Sequence, residues 1–143
     1  MDYEPSHFGI CVSDLERSMR FYCDGLGFTK MATYACGDEF EASLEVSGPI
    51  VLTAQFIQKG GMVVELLHYQ SPAVTGSPSQ HRNQLGLTHL SFVVDDVDAA
   101  ATRLAGYGGR ILPATRVSTD TGIEIVFLED PDGTRIELDN APA

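Results

Sequence analysis

The sequence has no apolar run of 18 residues or more, about the length a helix needs to cross a bilayer, so no membrane span is expected. Positive charge is scarce: 9 Lys and Arg stand against 20 Asp and Glu, for a formal net charge of −11 at pH 7. A surface that acidic repels phosphate backbones and anionic lipid headgroups, which argues against nucleic acid or a membrane as partner. The three cysteines, Cys11, Cys23 and Cys36, are odd in number and lack Cys-x-x-Cys spacing. That is the pattern of reduced thiols in a cytoplasm rather than of a disulfide framework. The first residues, Met-Asp-Tyr-Glu-Pro, are acidic where a secretory leader is basic and then apolar, so a cytoplasmic protein is expected. What remains is ordinary for a folded domain: 143 residues, 43% hydrophobic and 20% charged, enough for one compact core.

Laid on itself, the sequence repeats. Ser6-His7 is followed by an apolar run, with Val12 five residues and Asp14 seven residues after the histidine. Thr88-His89, 82 residues on, is followed by Val94 and Asp96 at the same spacings. A glycine stands twenty residues after each histidine, Gly27 and Gly109, and each copy ends in an apolar stretch holding a glutamate, Glu65 or Glu137. The runs at 6–12 and 88–94 have strand length, and the aspartates that end them can cap helices. Leu15, Met19, Tyr22 and Leu26 predict one apolar helical stripe, and Val97, Ala101, Leu104 and Ala105 a second. Further strands are expected at 28–36, 50–57 and 62–68 in the first copy and at 110–114, 123–129 and 134–139 in the second. Asp130-Pro-Asp-Gly133 marks a tight turn in the last hairpin, and an edge strand is expected near 41–46. The fold class is therefore α+β: two tandem βαβββ modules, about 3–70 and 86–140, joined by a Ser/Pro/Gly/Gln-rich linker at 71–85. They are read as one domain, a curved mixed sheet around a metal-binding cleft.

Strand alternation sorts the candidate residues by face. His7 shares a face with Gly9 and Cys11, and Glu65 with Val63, Leu67 and Tyr69. His89 shares one with Ser91 and Val93, and Glu137 with Arg135 and Asp139. If the last strand of each module pairs beside the first, each offers one imidazole and one carboxylate. Two imidazoles and two carboxylates suit one divalent ion, Zn, Ni, Co, Mn or Fe, and two carboxylates neutralise its charge. A single strand glutamate facing solvent is commonplace; two His and two Glu at equivalent points of a repeat are not. His68 falls on the opposite face from Glu65, and His81 lies in the polar linker, so neither joins the set.

These residues resemble the vicinal oxygen chelate superfamily, which includes glyoxalase I, methylmalonyl-CoA epimerase, extradiol dioxygenases and antibiotic-resistance proteins. The resemblance covers almost the whole chain and rests on Ser-His-Phe-Gly-Ile-Cys-Val-Ser-Asp-Leu-Glu, Gly-Leu-Gly-Phe, Val-Glu-Leu-Leu, Leu-Thr-His-Leu-Ser-Phe-Val-Val-Asp-Asp and Glu-Asp-Pro-Asp-Gly-Thr-Arg-Ile-Glu-Leu. It implies metal ligands at His7, Glu65, His89 and Glu137, and a glutamate at the second of these places the chain on the glyoxalase and epimerase side. There the implied reaction is a lyase or isomerase step, a proton moved next to a carbonyl through a metal-stabilised enediolate. Glu137 is the first choice of base, with Glu65 its partner. The resemblance also implies a small-molecule substrate and a homodimer, with Cys11, Tyr69, Ser91 and Arg135 as substrate contacts. Two departures matter. The arginine and asparagine that hold glutathione in bacterial glyoxalase I are replaced here by Cys11 and Tyr69, and Val64 to Pro72 resembles the epimerase, which acts on an acyl-CoA. The competing expectations are an extradiol-type ring-cleaving dioxygenase and a non-catalytic binding protein for an antibiotic or metabolite.

Overall fold

A computed structural model describes residues 1–141. The chain divides into two compact units, Met1–Gly76 and Ser77–Ala143. The first contains β1 (Phe8–Cys11), α1 (Leu15–Met19), β2 (Thr29–Cys36), α2 (Glu41–Leu44), β3 (Val51–Lys59) and β4 (Met62–Ser71). The second contains β5 (Leu90–Val93), α3 (Val97–Gly106), β6 (Arg110–Ser118), β7 (Glu124–Glu129) and β8 (Arg135–Asp139). Each unit forms its own four-stranded mixed sheet, in the orders β1-β4-β3-β2 and β5-β8-β7-β6. The first and last strands of each unit are parallel neighbours, and the remaining pairs are antiparallel. This is the tandem βαβββ architecture that the repeat predicts.

Alternation along the strands separates a helix-covered face from an open one. In the first unit Val12, Ile57, Val64 and Leu66 are fully buried with Phe21 and Tyr22 of the helical segment. The rings of Phe21, Tyr22 and Phe28 pack edge to face, at centroid separations of 5.2 and 5.9 Å. In the second unit Leu90, Val126, Leu128, Ile136 and Leu138 are buried with Val97, Ala101 and Leu104 of α3. The aspartates predicted as caps do cap: Asp14 accepts from the amide of Arg17 and Asp96 from that of Ala99, both at 2.9 Å.

Three details differ from expectation. α1 continues directly into a π-helical segment, Arg20–Gly25, in which the Leu26 amide reaches back five residues to the Phe21 carbonyl at 3.0 Å. A π turn is a one-residue insertion. It rotates the apolar stripe, so Ser18, Phe21, Tyr22 and Gly25 are buried while Leu15, Met19 and Leu26 are only half-buried. It also resets the spacing after the helix. The left-handed glycine matching Gly27 (φ 80°) is Gly108 (φ 96°), not Gly109, one residue sooner after its histidine. In α3 the stripe ends at Leu104, and Ala105 is exposed. Residues 41–46 form no strand. A 3₁₀ turn at Asp38–Phe40 leads into α2, which stops at Glu45 in the left-handed region (φ 55°). Glu-Ala-Ser-Leu favours a helical turn, and Asp38 ties it to the sheet by accepting from the Ile50 amide at 2.6 Å. The Asp130–Gly133 turn is as predicted: the Asp130 carboxylate accepts from the amides of Asp132 and Thr134, each at 2.9 Å, and Gly133 takes φ 100°.

Candidate metal centre

In the first unit, the parallel register of β1 and β4 sets Gly9 opposite Glu65 and Cys11 opposite Leu67. His7, just ahead of β1, directs Nε2 to Glu65 Oε2 at 3.3 Å. Its Nδ1 lies 2.8 Å from the Ser6 hydroxyl, and its ring stands edge-on to Phe56 at 5.0 Å. Phe56 is the antiparallel partner of Glu65, so it shares the open face of the sheet. The second unit repeats every one of these relations. β5 and β8 set Ser91 opposite Glu137. His89 Nε2 is 3.4 Å from Glu137 Oε2, Nδ1 is 2.7 Å from the Thr88 hydroxyl, and Phe127, the partner of Glu137, stands edge-on to His89 at 5.3 Å.

Each unit thus brings two of the four expected ligands together. Among the described residues no group of three or more His, Cys, Asp and Glu side chains is gathered as a metal cluster. The donors within a pair fit a divalent ion on two counts. Atoms that ligate one ion at about 2.0–2.2 Å lie roughly 3 Å apart when adjacent, close to the 3.3 and 3.4 Å seen. Each imidazole also has its rear nitrogen against a hydroxyl that can accept Nδ1–H, which leaves the Nε2 lone pair free to ligate. All four side chains are partly accessible, from 19 to 35% exposed, so an ion and a substrate can reach them.

The other expected contacts divide. Cys11 and Tyr69 share the face of Glu65. Burial pushes the Tyr69 phenol up, with the charges of Cys11, Glu65 and Cys36 adding to the effect. Burial also raises the Cys36 thiol, with Glu39 and Glu65 adding. Ser91 is open beside Glu137. Arg135 is committed elsewhere: it is only 11% exposed, pairs with Glu129 and donates to the Gly133 carbonyl at 3.0 Å. Glu129 also holds Arg110. His68 pairs with Thr53 on the helix-covered face, as alternation predicts.

Two kinds of residue escape sequence reasoning. Phe56 and Phe127 lie in apolar strands where any large side chain reads as core; the signal was their shared cross-strand place opposite the glutamates. Arg82, in the linker, lies with its guanidinium carbon 5.9 Å from the Phe127 ring centroid. It donates to the Thr88 carbonyl, and to that of Ser79 at 2.7 Å.

Comparison with known proteins agrees with this architecture. The family model described as glyoxalase/bleomycin resistance protein/dioxygenase superfamily matches residues 5–138. The Escherichia coli protein YaeR, itself uncharacterised, is 33% identical over 132 residues, 92% of each chain. A probable lactoylglutathione lyase of Synechocystis is 26% identical over 138 residues, 92% of this chain and 91% of that one. The crystal structure of a glyoxalase family protein from Bacillus cereus superposes with a TM-score of 0.81 at 18% identity, over 97% of this chain and 94% of the other. The chain belongs to the glyoxalase/bleomycin resistance protein/dioxygenase superfamily.

Proposed function

We propose that the protein is a divalent-metal-dependent lyase or isomerase of glyoxalase type, with His7, Glu65, His89 and Glu137 as the ligands of one ion. On this reading it moves a proton next to the carbonyl of a small molecule, either a lactoylglutathione lyase-like hemithioacetal or a methylmalonyl-CoA epimerase-like acyl thioester. The observation that carries the reading is the duplicated group of hydroxyl, imidazole, carboxylate and phenyl ring, repeated to within a few tenths of an ångström. A histidine and a glutamate that served packing alone would not need the same hydroxyl and phenyl partners in both copies.

A bound divalent ion supplies Lewis acidity toward a substrate oxygen and keeps coordination positions open for it. The rest of the chemistry falls to the chain. Glu137 takes the proton from the carbon next to the carbonyl on its second carboxylate oxygen, Oε1, and Glu65 is its partner in returning a proton. Ser6 and Thr88 hold the imidazoles in orientation. Cys11, Tyr69 and Ser91 meet the substrate, with the Tyr69 phenol available as a hydrogen-bond donor. The same reading makes the protein a cytoplasmic homodimer.

The test is elemental analysis of the purified chain beside Glu137→Gln, with solvent deuterium exchange into candidate hemithioacetals and acyl-CoAs. About one metal per site, with exchange lowered by 10²- to 10⁴-fold in the variant, is the expected result. Metal-free protein that binds these ligands without exchange overturns the proposal and leaves a binding protein on the same fold.

A further inference from the structure

Among the described residues, nothing neutralises the charge of Arg82. Its guanidinium has five N–H donors in a planar fork; two reach the carbonyls of Ser79 and Thr88, and three are left over. Among the described residues no carboxylate pairs with it, although Arg135, whose charge it feels, pairs with Glu129. The group is half-buried. Burial lowers its basicity, and the charge of Arg135 lowers it further, so the surroundings disfavour the cation they hold. A planar cation in that position is kept ready for an anion, since guanidinium pairs with oxyanions through short, often paired, charge-assisted hydrogen bonds.

Its position says what that anion belongs to. Arg82 lies over Phe127, whose strand partner is Glu137 and whose ring borders His89. Its bond to the Thr88 carbonyl ties it to the residue whose hydroxyl meets His89 Nδ1. We propose that Arg82 is the anion-recognising residue of the site: it receives an oxyanion group, carboxylate or phosphate, of the substrate handled by His89 and Glu137. In a chain of net charge −11, one unpaired cation beside the reacting groups also draws such a substrate to the right end of the sheet. The substrate role rests on the reading given under Proposed function, but anion binding does not need the metal. It is therefore tested on metal-free protein.

The experiment follows the arginine guanidinium resonances of the chelator-treated full chain by NMR, during titration with glycolate, with methyl phosphate, and with glycolamide as the neutral control. A saturable shift at Arg82, absent at exposed Arg103 and absent with glycolamide, is expected with at least one anion; the anion that saturates identifies the group. Arg82→Gln should weaken that binding by about tenfold or more, read at Phe127 and His89, and Arg82→Lys by less. If Arg82→Gln does not fold, the wild-type titration decides alone. Equal binding by wild type and Arg82→Gln, or no saturable shift at Arg82 with either anion, overturns the proposal and makes Arg82 a clasp for the linker. Absence of metal from the purified protein would overturn the metal reading without touching this result.

Discussion

A hydroxyl in front of each histidine is a small feature with a specific consequence. Ser6 and Thr88 lie within 2.8 Å of the rear ring nitrogens, so a ring that ligates through Nε2 can keep its other proton on a fixed acceptor. Outer-shell partners of this kind typically contribute 10- to 100-fold to metal affinity. Thr88→Ala and Ser6→Ala are therefore each expected to weaken metal binding by about that factor in calorimetric titration, with Thr88→Ser close to wild type. Unchanged affinity in both alanine variants would show that the hydroxyls are incidental. The repeat displayed the hydroxyl, the histidine and the glutamate as matched residues, so this much of the site was legible in the sequence. The phenylalanines were not, because a phenylalanine in a strand has the same pattern whether it meets a core or an imidazole. Nor was Arg82: its linker has no periodicity, and only the folded chain shows that no carboxylate among the described residues pairs with its charge.

Among the elements, β2 lies where it was expected but shifts register against β3 between Lys30 and Thr33. Gln55 of β3, only 2% exposed, repairs the ladder. Its amide donates to the carbonyls of Met31 and Ala32, both at 3.2 Å, and of Phe56 at 2.8 Å, and its oxygen accepts from the Thr33 hydroxyl at 2.6 Å. Gln55→Leu keeps the volume and removes the partners, leaving buried acceptors that cost about 1–3 kcal/mol each when orphaned. A loss of about 2–3 kcal/mol in urea unfolding, with unchanged slope, is expected; a loss below about 0.5 kcal/mol would mean that water replaces the amide. In the second unit Thr115 serves instead: its hydroxyl donates to the Leu112 carbonyl at 2.7 Å and accepts from the Phe127 amide at 2.9 Å. Strand placement came through from alternation and turn residues except at 41–46, where a helical turn stands in place of the expected strand. The bulges and the π turn did not, since an extra residue in β2 or the helix, or three in β6, leaves the hydrophobic pattern on either side intact.

For the molecule as a whole, the excess of acid extends beyond the carboxylates. Burial holds the Cys23 and Cys36 thiols and the Tyr69 phenol above their ordinary ranges, and nearby negative charge adds to each. An acid that is harder to ionise folded than unfolded lends stability below its unfolded pKa, and that stability drains away as pH rises through the folded value. Thiols ordinarily titrate near 8.5 and phenols near 10, so the urea midpoint is expected to hold steady up to about pH 8 and to fall by pH 10–11. Cys23→Ser with Cys36→Ser should flatten the first part of that decline, and an identical pH profile in the double variant would refute this account.

The register shifts carry one more consequence. β2 and β6 each form the longer edge of their sheet, eight and nine residues against four in β1 and β5 at the other edges. Straight outer strands of that length are templates on which a second polypeptide can dock its backbone and begin fibril growth. Both are broken near the middle: β2 between Lys30 and Thr33, and β6 between Leu112 and Val117, where Pro113 withholds an amide as well. An incoming strand can pair with a few residues of either and then loses step. The breaks thus guard the long edge of each sheet against growth onto copies of the chain.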